Sequence, residues 1–332
     1  MMQYRELTAA RLRVSRMGLG LAALGRPGYI TLGHGQDMAG RYDTAAMEEH
    51  TFSMLDAAWQ AGIRYFDVAR SYGRAEKFLG SWLRGRNISE GAAVVGSKWG
   101  YTYTANWQVQ AREHEVKQHS LQQLDKQREE SNLLLGGYLD LYQIHSATLE
   151  SGVLDNKLVL DRLHALKMHG LLIGLTLSGP RQAETLQRAL EIRFGGERLF
   201  DVVQATWNLL EQSAGPALAQ AHAAGLGILV KEGLANGRLT TRNQEAAFAD
   251  KRALLQQLSD ETGYSFDALA LAAILAQPWA DVVLSGAATP EQLRSNLVAL
   301  RVGLTPEQLQ RLQGLAEEPE RYWTTRSQLE WN

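Results

Sequence analysis

The sequence predicts a single (β/α)8 TIM barrel, with loop insertions at the carboxyl ends of its strands. Three observations predict it. Eight short runs rich in β-branched or apolar residues recur along the chain, at 14–21, 63–66, 93–97, 139–144, 172–177, 202–206, 226–230 and 282–285. Longer segments lie between them, such as 44–62 and 160–170, whose apolar residues fall at i, i+3, i+4 and i+7 and which end in Gly62 and Gly170, residues able to take the left-handed stop of a helix. No Pro/Ser-rich linker or charge run divides the 332 residues, so one domain over 1–332 is favoured over two doubly wound domains, which the length alone also permits.

Taken in order, the run 14–21 leads into GLGLAA (18–23), which fits G-x-G-x-x-A after a strand. Gly25, Pro27 and Gly28 stand where the helix of a dinucleotide-binding unit would begin, so this reads as the opening turn of a barrel. The aromatic and Gly-rich stretch 25–42 exceeds a minimal connection and is an insertion, as is the polar stretch 236–251. Three of the following runs deliver a polar or charged residue just beyond their ends: Asp67 after 63–66, Lys98 after 93–97 and His145 after 139–144. The segment HEVKQH (114–119) approaches the zinc motif H-E-x-x-H, but its histidines are five residues apart and would not share a helix face, so no metal site is expected.

Composition narrows the function. Hydrophobic residues make up 45% and charged residues 21%, which is ordinary for a globular chain and excludes a disordered or fibrous one. The net charge of -2 offers no excess of cations for nucleic acid. With no cysteine there is no disulfide, thiolate nucleophile or Cys-ligated zinc, which suits a reducing cytoplasm. The longest apolar stretch, 268–276, is too short to span a bilayer, and the opening MMQYRELTAARLRVSR lacks the apolar core of a secretion signal. The expectation is a soluble cytoplasmic protein, monomeric or weakly associating, whose partner is a small molecule and neither nucleic acid nor membrane.

Active sites of such barrels form at the carboxyl ends of the strands, where Asp67, Lys98 and His145 stand and where Tyr72 follows in the loop ARSYG. Each alone has an ordinary structural reading, as a turn cap, a rim lysine, a core histidine or a packed loop aromatic. Together they make a proton-transfer device. A phenol is a poor acid at neutral pH, an adjacent ammonium stabilises the phenolate, a carboxylate holds that ammonium, and an imidazole orients a carbonyl or shares the proton. Paired metal ligands at the strand ends are lacking, which disfavours a metal-dependent hydrolase.

These residues carry a family resemblance. GIRYFDVARSYGRAEKFLG (62–80), SKWG (97–100), LDLYQIH (139–145), VVQATWNLLE (202–211), GLANGRL (233–239) and LSGAATPEQLRSNL (284–297) resemble, in order, motifs of the aldo-keto reductase family, as does the opening YREL with RVSRMGLGL. The resemblance implies an enzyme that reduces an aldehyde or ketone, or oxidises the corresponding alcohol, and that uses NADP(H) by family default, with NAD(H) possible. It implies Tyr72 as general acid, Lys98 and Asp67 as its tuning pair, and His145 as the group that places the carbonyl. For the coenzyme it implies Gln204 near the nicotinamide amide, Asn296 near adenine, and Thr176, Ser178, Leu234, Gly286 and Gln292 along the same cleft. Several places depart from the family pattern. Thr176 stands for a usual Ser and Leu177 for a usual Asn, with Ser178 as the neighbour able to compensate. Lys231 stands where an aromatic commonly stacks on the nicotinamide, so either Trp207 supplies the stacking face from the neighbouring strand or the ring is held differently. Gly286, Ala288 and Gln292 replace the usual cations for a 2′-phosphate, and Arg294 is the nearest remaining one. The segment 121–137 is about two turns longer than is usual for the family, and no function is assigned to it.

Tyr29, His34, Trp99 and Tyr101, with Tyr103 and Trp107, are read as lining an aromatic substrate pocket, with packing of the insertion as the alternative. A second class of function is also compatible with the motifs: a coenzyme-binding, redox-sensing or regulatory barrel subunit with little turnover, as in the potassium-channel β subunits of this family.

Overall fold

The computed structural model describes residues 2–7 and 12–332. Among these, eight parallel strands close into a barrel: β1 (Met17–Gly20), β2 (Tyr65–Asp67), β3 (Val94–Trp99), β4 (Leu139–Ala147), β5 (Leu172–Leu177), β6 (Val202–Thr206), β7 (Gly227–Lys231) and β8 (Val282–Ser285). Each pairs with the next in sequence, and β8 closes on β1 through Val283 with Met17 and Leu284 with Gly18. The predicted run 14–21 is therefore two strands. Leu12–Ser15 pairs antiparallel with Tyr4–Leu7, and the chain turns at Arg16 before entering β1. Leu7 and Val14 of this hairpin pack with the interior residues Tyr65, Val94, Leu141, Val202, Leu229 and Val282, so the hairpin plugs the barrel floor.

Helices cover the outside. The connections carry α1 (His34–Met38), α2 (Thr44–Gln60), α3 (Ala75–Gly85), α4 (Leu121–Leu135), α5 (Lys157–Met168), α6 (Gln182–Glu191), α7 (Gly215–Ala223), α8 (Ala249–Thr262), α9 (Phe266–Leu275) and α10 (Pro290–Val298), followed by α11 (Pro306–Gln313) and α12 (Pro319–Ser327). Their starts are encoded locally: the side chains of Asp43, Ser120, Asn156 and Thr289 accept backbone N–H groups from the first turns of α2, α4, α5 and α10. The strands' alternation then sorts side chains into two shells. Lys98 and Gln204 point into the barrel, whereas their neighbours Trp99 and Ala205, with Trp207 beyond, pack outward in the large core under the helices.

Both insertions lie over the barrel mouth. Arg242 of the second holds Asp37 of the first with two hydrogen bonds, at 2.8 and 2.5 Å, and also donates to the Leu32 carbonyl. The segment 121–137 is the helix between β3 and β4. Gln127 of α4 accepts from the Gly100 amide and donates to the Tyr101 carbonyl, both at 2.8 Å, so this helix braces the chain leaving β3.

Candidate active site

The loop that carries Tyr72 is pinned because β2 continues to pair with β3 beyond its last residue: the amides of Val68 and Arg70 donate to the carbonyls of Gly96 and Lys98. Lys98, almost fully buried, donates to one oxygen of Asp67 and, at 2.9 Å, to the Val68 carbonyl. The other Asp67 oxygen accepts from Gln204 at 2.9 Å and Tyr65 at 3.3 Å. The Lys98 ammonium lies 4.5 Å from the centroid of the Tyr72 ring. His145 meets the same ring edge-on at 5.5 Å, and its Nδ1 is 3.4 Å from the Ser71 hydroxyl. Just past His145 the β4–β5 register shifts, Ser146 adopts a left-handed φ of 52°, and its amide donates to Thr176. Such an irregularity beside a site re-aims a side chain at the end of a strand.

Electrostatics sets the protonation states. Burial lowers the Lys98 ammonium's affinity for its proton, against the pull of Asp67. Burial, reinforced by Asp67, raises the Tyr72 phenol well above its usual range. Burial and the nearby cations Lys98, Arg26 and Lys231 drive His145 far below the usual imidazole range. At neutral pH the site therefore presents a protonated phenol and a neutral imidazole, two hydrogen-bond donors for one oxygen atom.

Asp67, Tyr72 and His145 face one cavity of about 590 Å³, which Gln204, Ser178, Lys231, Leu234, Gly286, Gln292, Asn296 and Tyr29 also line. Lys231 donates to the Thr206 hydroxyl at 2.7 Å and stands 3.7 Å from Glu232, and burial lowers its pKa to about 8. Other expected residues lie outside this lining. Trp207 packs edge-on against Trp279, outside the barrel wall, so it offers no stacking face to the cavity. Trp99 is likewise turned outward, against His119. His34 is buried with its Nε2 donating to the Pro27 carbonyl, and Thr176 sits behind the lining as the acceptor of the Ser146 amide. Strand parity accounts for both tryptophans, because each follows an inward residue or stands an odd number of places from one. Leu177 is also outward, in the helix-facing core, so its departure from the family residue does not touch the cavity. Tyr101 packs against His145 at 4.9 Å from the side. Trp107 donates to the Tyr42 carbonyl and so packs the first insertion down. The HEVKQH segment contains a strand, Glu115–Lys117; His114 stacks on Trp331 and His119 donates to the His145 carbonyl.

Sequence reasoning missed several charged residues of the cavity: Arg26, Glu115, Glu232 and Arg326. Arg326, on α12, embraces Glu232 with three hydrogen bonds of 2.5 to 3.0 Å. Burial opposes ionisation of Glu232, yet Arg326 and Lys231 hold it at about 2. Trp331 and Leu329 complete the wall, and the backbone of Asn332 pairs with that of Tyr29.

Comparison with known proteins agrees with the barrel fold. The model of the Aldo/keto reductase family matches residues 17–317. The chain belongs to that family. An aldo-keto reductase, AKR11C1 from Bacillus halodurans in its holo form, superposes with a TM-score of 0.72 at 22% identity, covering 96% of this chain and 97% of the other. The NADP(+) aryl-alcohol dehydrogenase of Phanerodontia chrysosporium is 24% identical over 300 residues, 79% of this chain and 75% of that protein. Norsolorinic acid reductase stcV of Emericella nidulans is 26% identical over 278 residues, 79% of this chain and 70% of that one. As an aldo-keto reductase the protein is an NAD(P)H-dependent oxidoreductase acting on carbonyl and alcohol groups. Among the described residues, no helix is long and apolar enough to cross a membrane.

Proposed function

We propose that the protein reduces an aldehyde or ketone with Tyr72 as general acid, and that the reverse reaction uses the Tyr72 phenolate as base. One observation carries this reading: a buried ammonium, held by Asp67 and the Val68 carbonyl, lies against the Tyr72 ring while a neutral His145 faces that ring from the other strand end. The substrate oxygen binds between the Tyr72 hydroxyl and the His145 imidazole. As negative charge builds on that oxygen, Tyr72 delivers its proton and Lys98 steadies the phenolate left behind. Asp67 keeps Lys98 in place, and Gln204 and Tyr65 occupy the second Asp67 oxygen so that it does not compete for the proton.

The residues present suit a nicotinamide dinucleotide. Buried amide side chains (Gln204, Asn296) and hydroxyls (Ser178, Ser285) line the cavity with the open backbone of Gly286, a donor set matched to a carboxamide and ribose hydroxyls. When bound, that coenzyme supplies the hydride. The segment from Ser285 to Asn296 favours NAD(H) over the family default. Among its described cavity-lining residues none is a cation to meet a 2′-phosphate, and the one charged group, Glu291, is an acceptor suited to a ribose hydroxyl. Arg294 is exposed and tied to Glu291 at 2.6 Å, and the Gln292 oxygen is occupied by the Ala288 amide.

The test is a titration of the protein with NADH and with NADPH, following tryptophan emission, paired with turnover of small aldehydes. Tighter binding of NADH with sustained turnover supports the reading. Tighter binding of NADPH overturns the coenzyme choice. Binding of either without turnover favours the regulatory-subunit reading over catalysis.

A further inference from the structure

A charged pair lies over Tyr72 that the Asp67, Lys98 and His145 set does not account for. Arg26, in the loop after β1, is 3% exposed. Its Nη1 donates to the carbonyl of Ser71, the residue before Tyr72, at 3.0 Å, and to Glu115 at 2.8 Å. The guanidinium centre stands 5.3 Å from the Tyr72 ring centroid, 5.7 Å from that of Tyr29 and 4.7 Å from that of Trp331. Two acceptors and three rings therefore fix one cation beside the phenol. Lys98 is closer to the same ring, but its charge is matched by Asp67, which pulls in the opposite direction on the phenol.

We propose that Arg26 is a second cation acting on Tyr72, stabilising the phenolate left when the phenol gives up its proton, and that Glu115 anchors Arg26 while tempering its effect. The proposal rests on the reading of Tyr72 as the acid. The charged and titratable groups around Tyr72 are Asp67 and Tyr65 on β2, Lys98 on β3, His145 on β4, Lys231 and Glu232 at the end of β7, Arg326 on α12, Tyr29 and Arg26 after β1, and Glu115 between β3 and α4. Asp67, Glu115 and Glu232 work against the phenolate and Arg26 works for it. Arg26 is thus a positioning residue that acts through Tyr72, and Arg26 and Glu115 act on it with opposite signs.

That opposition gives the test. Wild type, Arg26→Gln, Arg26→Lys and Glu115→Gln are compared at saturating coenzyme for the pH at which alcohol oxidation levels off. On the same proteins the carbon-13 Cζ resonance of Tyr72, assigned by its loss in Tyr72→Phe, is titrated. An opposite charge within about 4–6 Å moves a pKa by about 1–3 units, so Arg26→Gln shifts both midpoints upward by about one pH unit. Glu115→Gln shifts them downward by a smaller amount, and Arg26→Lys stays near wild type. A purely structural Arg26 moves neither midpoint, or moves both variants the same way, and either result overturns the proposal. So does a tenfold rise in KM for Arg26→Gln with kcat and both midpoints unchanged, which makes Arg26 a substrate contact. If wild type does not turn over carbonyls, or Tyr72→Phe matches it, the reading of Tyr72 itself fails. Unmoved midpoints in an active, Tyr72-dependent enzyme remove only the role of Arg26.

Discussion

Replacing Arg326 by Met removes the clamp that ties α12 to the end of β7, and its cost follows from the state of Glu232. The Glu232 side chain is 9% exposed, and its backbone takes a left-handed φ of 55°. The Asn208 amide bridges its carbonyl and the Tyr322 hydroxyl, both at 3.0 Å. Glu232 falls from an ordinary 4.5 to about 2 although burial opposes this, because Arg326, and after it Lys231, favours the carboxylate. A drop of that size corresponds to about 3 kcal/mol of stability, in line with the roughly 3–5 kcal/mol lost when one partner of a buried pair is removed. The folded value lies below the unfolded one, so this stability is fully present above about pH 4.5 and is lost as pH falls through about 2. Urea unfolding of wild type and Arg326→Met should therefore differ by about 3 kcal/mol at pH 7 and converge between pH 4.5 and 2. A gap below about 1 kcal/mol at pH 7, or one that stays constant down to pH 2.5, would refute the reasoning.

Lys231 and the Asp67–Lys98 pair give further expectations. With its pKa lowered to about 8, Lys231 is mostly charged at pH 7 and neutral at pH 9. Lys231→Met should therefore tighten the oxidised, cationic coenzyme relative to the reduced one by roughly tenfold at pH 7, and by little at pH 9. Equal affinity ratios in both proteins at pH 7 would exclude an electrostatic role. Asp67→Asn leaves the buried Lys98 ammonium without its counter-charge and should cost about 3 kcal/mol in urea unfolding together with activity. Adding Lys98→Met should recover most of that stability and none of the activity, and recovered activity would show that Lys98 takes no part in the chemistry.

Much of the barrel is legible in the sequence because its strands are short apolar runs, and in several of them a polar residue such as Asp67, Lys98 or His145 stands at or near the end that meets the mouth. The run 14–21 misleads because Arg16 is itself buried, donating to the Leu275 carbonyl, and interrupts two strands that look continuous. Trp99 and Trp207 were legible in principle: Lys98 and Gln204 must face inward to meet Asp67, and the period of two then turns both rings away. Arg26, Glu115, Glu232 and Arg326 carry no such signal. They come from the β1 loop, the β3–α4 connection, the end of β7 and α12, and only closure of the barrel brings those four segments together over Tyr72. Lys231 directly follows the apolar run 226–230 in the sequence, but its partner Thr206 becomes apparent only from the register of β6 against β7.

The central claim is that the phenol of Tyr72 delivers the proton, and turnover of Tyr72→Phe alongside its coenzyme affinity tests it most directly. The substitution removes one hydroxyl and leaves the ring between Lys98 and His145. Carbonyl reduction should fall by about 10²–10⁴-fold while the coenzyme dissociation constant stays within about twofold of wild type. Turnover retained within a few fold, with the same coenzyme affinity, would contradict the account and place the proton donor elsewhere in the cavity.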